Sequence, residues 1–399
     1  MKKLSRILLS TAALSLMSIG GLTGCNKGPS LNLKVGLILL HPAKSSTYDK
    51  NFREAFERAA RELGFKAVIK ENIDEGDECQ ATAEEMAEQG CGIVFADSFG
   101  HEDYMIAAAR NYPDVMFCHA TGVQARAVNL PNFYNAFASI YQGRYLAGVT
   151  AGLKLKEKYG DANGAVSDAN AKMGYVGAYP YAEVKSGYTS FFLGAKSVVP
   201  NVTMEVTFTN EWYHESKEKT AAELLLSHGA KLISQHADSY GAPNACEVAG
   251  VPNVSYNGST LKNCPKTFLV SSKINWTPYF KHIVDCKINN KTLEKDYVGS
   301  FTDGGVELSS FSKNCAKGTA EYVNNVKKEL LDGTRHVFDV NTFTIGGQAP
   351  TEALVKPGPF TFTDYPEGTL FLEGGYYHES EFRSAPSFDV NIDGITIID

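Results

Sequence analysis

The 399-residue sequence has no C-x-x-C pair, which removes the usual zinc-ribbon and thiol–disulfide exchange frameworks. It has no G-x-S-x-G elbow, no Walker loop, no G-x-G-x-x-G and no H-E-x-x-H. The common local signatures of serine hydrolase, nucleotide-binding and metalloprotease chemistry are therefore missing. After the first two dozen residues no apolar run approaches the roughly twenty that cross a bilayer. Low-complexity segments and short-period repeats are absent too. Basic residues are the scarcer charge, 38 Lys and Arg against 45 Asp and Glu, a net −7. Without Lys2, Lys3 and Arg6 the balance is 35 against 45, or −10. That argues against nucleic acid or an anionic lipid surface as partner and leaves a small neutral ligand open.

What is present begins at the N-terminus. Lys2, Lys3 and Arg6 precede an apolar stretch, Ile7 to Ile19, too short to span a membrane. Small residues then lead to Leu22-Thr23-Gly24-Cys25, which resembles a bacterial lipobox rather than an A-x-A cleavage site. The expectation is a signal peptide over 1–24 and a diacylglycerol on the Cys25 thiol. A flexible lipidated tether would follow over 25–32. The protein would then sit on the extracytoplasmic face of a bacterial cell membrane, held there by its lipid.

Seven cysteines remain beyond Cys25: Cys79, Cys91, Cys118, Cys246, Cys264, Cys286 and Cys315. Seven is odd, so they cannot all pair among themselves. Cys91 and Cys118 sit in or beside apolar strand-like runs that favour buried thiols. Cys246 and Cys264 flank one short segment, and for them a bridge and two free thiols are both open.

At 43% hydrophobic and 21% charged, the composition is that of a globular protein. The mature length suggests two domains, because single cores stop growing at roughly 250–300 residues. From residue 33, short apolar strands alternate with amphipathic helices. "LKVGLIL" is followed by "DKNFREAFERAARELG", whose Phe52, Phe56, Ala59 and Leu63 share a face that Gly64 closes. "KAVIKEN", "GIVFADS" and "DVMFCHA" continue the pattern, which restarts at "MGYVGAY" after a long helix. Strands separated by helices imply right-handed crossovers and parallel sheets, hence two doubly wound α/β lobes. The tail beyond about Gly333, rich in Gly, Pro and aromatics, has no clear assignment.

Ligands of doubly wound sheets bind outside the carboxyl ends of the strands. Here those loops read "LLHPAKSSTYD", "ADSFGHED", "GAYPYAE", "TNEWYHE", "HADSYGAP", "YNGS" and "SSKINW". Aromatics, amides and hydroxyls dominate, which suits a planar polar ligand held by stacking and hydrogen bonds. His236 and Asp238 could be imagined as a metal or acid–base pair, but no third ligand accompanies them. They read as a satisfied loop pair, and His101 and His214 as solvated loop residues. No catalytic residue, metal or cofactor is expected, so the protein is not read as an enzyme.

"DSFGHEDYMIAAARNYPDVMFCHATG", "YQGRYLAGVTAG", "GAKLISQHADS" and "SSKINWTPYF" together resemble the basic membrane protein family. These are lipid-anchored substrate-binding proteins of ABC importers, of the purine nucleoside receptor type. The resemblance runs from about Lys34 to about Leu331. It implies a type I periplasmic-binding-protein fold, two lobes joined by three crossing segments. Lobe boundaries are expected at 33–134 plus 270–296 and at 135–269 plus 297–399. A purine nucleoside or nucleobase would lie in the cleft, with an ABC permease as partner and the receptor a monomer.

By the same resemblance, Tyr48 would stack on one face of the base and Trp212 on the other. Asp49 would take base-edge hydrogen bonds, and Lys273 would donate to ribose hydroxyls. Ser98 and Phe99 would line the sugar side, with Asp238 opposite. Two departures stand out. The family's T-D-x-G-G is here "LLHPAKSS", and Asn257 falls where the family carries a ribose-binding carboxylate. A free base or another small heterocycle is therefore an open alternative. A receptor for a sugar on the same fold, or a surface lipoprotein with a vestigial cleft, are the other two.

Overall fold

The computed structural model describes residues 30–357, 365 and 368–398. The expected signal peptide, 1–24, and Cys25 lie outside them. In chain order the first half runs β1 (Lys34–Ile38), α1 (Thr47–Leu63), β2 (Lys66–Lys70), α2 (Asp77–Glu88), β3 (Cys91–Ala96), α3 (Glu102–Asn111), β4 (Met116–Ala120), α4 (Ala125–Val128) and β5 (Phe133–Ala138). Then come α5 (Ile140–Tyr159), β6 (Lys172–Gly177), α6 (Ala182–Lys196), β7 (Thr203–Phe208), α7 (Glu215–Ser227), β8 (Leu232–Gln235), α8 (Gly241–Ala249), β9 (Asn253–Tyr256) and β10 (Phe268–Ile274). Then follow α9 (Thr277–Ile288), β11 (Asp296–Gly299), β12 (Val306–Leu308), α10 (Thr319–Leu331) and, near the C-terminus, β13 (Ile395–Ile397).

Helix α1 shows why the local reading works. Ser46 caps it, its hydroxyl accepting from the Asp49 N–H at 3.2 Å, and Gly64 ends it at φ 80°, a conformation that costs glycine little. Phe52, Phe56 and Ala59 lie on its buried face, while Leu63 is only partly buried. Burying each such aromatic or aliphatic side chain contributes about 1.5–3 kcal/mol.

The strands form two sheets, in the orders β11-β5-β4-β3-β1-β2 and β12-β10-β9-β8-β6-β7-β13. Among the described strands every pairing is parallel except that of β12 with β10. The chain passes between the sheets three times: after Ala138, between Ile274 and Thr277, and between Gly299 and Val306. These segments bond to one another, Ser139 N–H to the Gly299 carbonyl and Asn275 N–H to that of Gly305, both at 2.8 Å. Trp276, in the second segment, is 1% exposed and stacks on Phe52 at 4.4 Å. It ties the crossing region to the core of the first lobe.

Sheet membership moves the expected boundaries. Residues 270–274 complete β10 in the second sheet, while 135–138 and 297–299 belong to the first. β12, of three residues, is too short to read by periodicity alone. The seven described cysteines are free thiols, and all but Cys315 are buried. Cys264 approaches Asn244 Oδ1 at 3.7 Å and Cys246 lies 4.0 Å from Asn253 Nδ2, so the possible bridge is not formed.

The tail touches both lobes. β13 pairs with β7, Asp389 meets Lys185 at 2.8 Å, and the Ser384 N–H donates to Asp296 of β11 at 3.0 Å. The tail has its own aromatic core, with Phe338 stacked on Phe388 at 4.3 Å. Glu379 is buried beside that core, accepting from the Ser387 and Phe388 N–H groups at 2.7 and 2.8 Å. Burial nevertheless pushes its carboxyl up to about 7. Between the unfolded value of about 4.5 and 7 the unfolded chain has lost a proton that the folded chain keeps. Glu379 therefore makes stability fall as pH rises through that window. Thermal melts from pH 5 to 8 should show Glu379→Gln losing less stability than wild type across it. Parallel curves would show that Glu379 does not hold the proton.

Candidate ligand-binding cleft

The carboxyl ends of β1, β3 and β4 face those of β6, β8 and β9 across the space between the lobes. A pocket lies there. The first lobe lines it with His41, Tyr48, Ser98, Phe99 and Thr121, and the second with Glu183, Trp212, His236, Asp238 and Tyr256. The lobes touch around it. The Thr47 N–H and hydroxyl both donate to the Asp238 carbonyl, at 2.9 and 3.2 Å. Phe99 meets Tyr181 and His41 meets Tyr213, each at 5.4 Å between ring centroids. This is a closed arrangement.

Tyr48 stands in the first turn of α1. Its hydroxyl donates to the Asp97 carbonyl at 2.8 Å and its ring meets Phe52 edge-on at 4.9 Å. Burial, then the charges of Glu183 and Asp97, push the phenol well above its ordinary value, so it stays a donor. Trp212 follows β7 after Asn210, which takes a left-handed turn at φ 58°. Its ring packs against Tyr179 at 5.1 Å and Tyr181 at 6.0 Å, and its carbonyl accepts from the Asp238 N–H. The Asp238 carboxyl is pushed well up by burial, with Asp49 and Glu218 adding to the effect.

Asp49 sits behind the wall rather than in it. One oxygen accepts from the His41 N–H at 2.7 Å and the other lies 3.6 Å from His41 Nδ1. Beside it, Asp97 accepts from the Leu40 N–H at 3.1 Å, and burial followed by the charge of Asp49 raises its carboxyl well above the usual range. Ser98 is already engaged, its hydroxyl donating to Glu75. Its carbonyl meets His119 Nε2 at 2.7 Å.

His101 is buried, contrary to the sequence reading. Its Nε2 meets the Ile73 carbonyl at 3.0 Å and its Nδ1 accepts from the Ser98 N–H, so it shapes the turn at Phe99. Burial pushes it down to about 4. His214 caps α7 through its ring, accepting from the Lys217 N–H.

His236 and Asp238 are not partners. Arg144, buried on α5, places its guanidinium 3.4 Å from the Tyr256 ring centroid and Nη2 2.9 Å from His236 Nδ1. Arginine can only donate, so Nδ1 must be the acceptor and Nε2 carries the proton toward Glu183 Oε1 at 3.3 Å. Burial pushes His236 down to about 4. Sequence reasoning missed Arg144, Glu183 and Tyr256. Arg144 stood in a helix, away from the strand-end loops, while Glu183 and Tyr256 lay at the ends of two of those loops, "GAYPYAE" and "YNGS", with no role assigned.

Asn257 and Lys273 do not join the pocket. They border a separate, more open recess with Thr47, Lys50, Asn51 and Glu307. Lys273 pairs with Glu307 at 3.1 Å, and Asn257 is buried with its Nδ2 lacking a hydrogen-bond partner. Among the described residues no group of three His, Cys, Asp or Glu is placed to hold a metal, and no helix is long and apolar enough to cross a membrane.

Comparison with known proteins agrees with this architecture. Residues 33–337 match the family model for the PnrA-like ABC transporter substrate-binding protein, Bmp. A purine-binding protein of Brucella abortus is 31% identical over 282 residues, covering 70% of this chain and 76% of that one. A Haloferax volcanii protein named for glucose binding in an ABC transporter is 29% identical over 261 residues, covering 65% and 62%. The solved structure of a solute-binding protein from Conexibacter woesei superimposes with TM-score 0.62 at 20% identity, covering 76% of this chain and 98% of that one. That likeness establishes the type I periplasmic-binding-protein fold. The family binds solutes and is not one of enzymes. With nearly all of both lobes inside the matched region, the chain belongs to the Bmp family of PnrA-like ABC transporter substrate-binding proteins.

Proposed function

We propose that the protein captures a purine-type heterocycle, as base or nucleoside, between its lobes and presents the closed form to an ABC permease. The observation that carries this reading is the pairing of Tyr48 and Trp212, aromatic walls of one pocket supplied by opposite lobes. Stacking uses both rings, and Asp238 and Glu183 supply hydrogen-bonding groups for a ring edge. Because the walls belong to different lobes, both reach one ligand only when the lobes are closed, so ligand stabilises closure. The three crossing segments are where such a motion would bend.

The name of the Haloferax relative favours a second reading, a sugar. A sugar presents many hydroxyls, whereas of the four hydroxyl side chains lining this pocket those of Ser98, Thr121 and Tyr48 already donate to Glu75, the Ala120 carbonyl and the Asp97 carbonyl, and that of Tyr256 alone lacks a partner. The purine reading is preferred on that ground. Leu22 to Cys25 further support a lipid anchor at Cys25, which would keep the receptor near its permease and raise its effective concentration there.

One preparation tests both parts. Protein extracted from membranes is denatured, and its released small molecules and N-terminal peptide are identified by mass spectrometry. A purine or purine nucleoside and a diacylated peptide beginning at Cys25 are expected. A released hexose would overturn the ligand reading, and an unmodified Cys25 within a retained N-terminus would overturn the anchor.

A further inference from the structure

The family match ends at residue 337, so the chain beyond it is an addition to the two-lobe fold. The last part of that addition is fixed to the second lobe. β13 extends the second sheet beside β7, where the Ile398 N–H donates to the Val206 carbonyl at 2.8 Å and the Met204 N–H to that of Gly394 at 2.9 Å. Two residues of α6 hold it as well: Lys185 pairs with Asp389, and the Tyr188 hydroxyl donates to Asn391 Oδ1 at 3.1 Å.

A few positions before Asp389 the same chain is bonded to the other lobe. The Ser384 N–H donates to Asp296 Oδ1 at 3.0 Å. Arg126 of α4 donates to the Phe382 carbonyl, and its Nη2 stands 3.9 Å from Asp296 Oδ2. The chain between the two anchors is itself tied down. Arg383, buried, donates to the carbonyls of Ala385 and Pro386 at 3.1 and 3.0 Å, and the Ser387 and Phe388 N–H groups are held by Glu379. Even fully extended, the five residues from Ser384 to Asp389 would reach at most about 17 Å.

Asp296 begins β11, whose other end, Gly299, enters the third crossing segment. It stands three strand residues, about 10 Å, from the region where the lobes would pivot. A rigid-body rotation of ~15° would shift it by roughly 2.6 Å, enough to break a hydrogen bond.

We infer that residues 382–389 are a strap that holds the lobes closed, its bonds to Arg126 and Asp296 breaking in the same event that parts Thr47 from Asp238. The strap raises the closed fraction of the ligand-free protein, so less of a ligand's binding energy goes into closing it. This holds whatever ligand the cleft takes.

Amide hydrogen exchange of the ligand-free protein tests it. Thr47 is the first residue of α1 and has no acceptor within that helix, so its N–H is protected by the Asp238 carbonyl of the opposite lobe. Its exchange rate therefore reports lobe opening, and that of Ser384 reports release of the strap. In the wild type Ser384 should be protected no more strongly than Thr47. Arg126→Ala, at an exposed site, and Asp296→Ala should each speed exchange at Thr47 at least ~10-fold, while amides within α1 and at Ile398 keep their wild-type rates. Thr47 unchanged in both variants would overturn the strap. A wild-type Thr47 amide that is unprotected, or a Ser384 amide that stays protected while Thr47 exchanges, would overturn it too. Should Asp296→Ala not fold, Arg126→Ala still decides.

Discussion

Trp212→Ala is expected to weaken ligand binding by about 1–3 kcal/mol, roughly five- to 150-fold, the range measured for removing an aromatic platform from under a base. Its melting temperature without ligand should stay close to wild type. The reason is the position of the ring. Trp212 is half-buried at the pocket edge, and its ring partners, Tyr179 and Tyr181, are themselves cleft residues. Tyr48 is a poorer choice for this experiment, because its ring also packs on Phe52 in the core of the first lobe. Calorimetry with a binding purine and a melt of each ligand-free protein separate the two effects. Affinity equal to wild type would show that Trp212 is not the stacking wall. A collapse of the ligand-free melt would show instead that the ring is structural.

Gly148→Ala is expected to destabilise the second lobe by about 3 kcal/mol or more, at or beyond the upper end of ordinary overpacking. Helices α5 and α6 cross with their backbones in contact. A Cβ at Gly148 would stand 1.9 Å from the Phe191 carbonyl oxygen, and one at Gly194 would stand 2.0 Å from that of Tyr145. Neither obstacle is a side chain that can swing away, so the helices themselves must separate. Arg144 lies one turn before Gly148 on α5, so separation would also draw its guanidinium away from His236 and Tyr256. Binding should therefore fall together with stability. Denaturant unfolding measures the first effect. Gly76→Ala is the control, because a Cβ there meets nothing within 4 Å and its φ of 175° is ordinary extended backbone. Equal stability of the Gly148→Ala and Gly76→Ala proteins would mean that α5 and α6 do not pack this closely.

Legibility in the sequence follows the range of the interaction. Helix caps, apolar faces and the alternation of strand and helix depend on residues a few positions apart. The sequence alone therefore determines two parallel α/β lobes and the loops that face the cleft. Tyr48, Ser98, Phe99, Trp212 and Asp238, which the family resemblance singled out, all line the pocket. The separation of Asn257 and Lys273 from that pocket was not legible. It depends on Thr47 of one lobe meeting Asp238 of the other across 191 positions of chain, a contact that exists only once the lobes close. Arg144 and Glu183 were hidden similarly. Each sits in a helix whose own pattern gives no sign that it leads to His236. The free state of Cys246 and Cys264, the burial of His101 and the tail's contacts with both lobes belong to the same class. Local chemistry writes the elements and points side chains toward a cleft; which of those side chains share one enclosed space is decided by how two separately folded sheets come together.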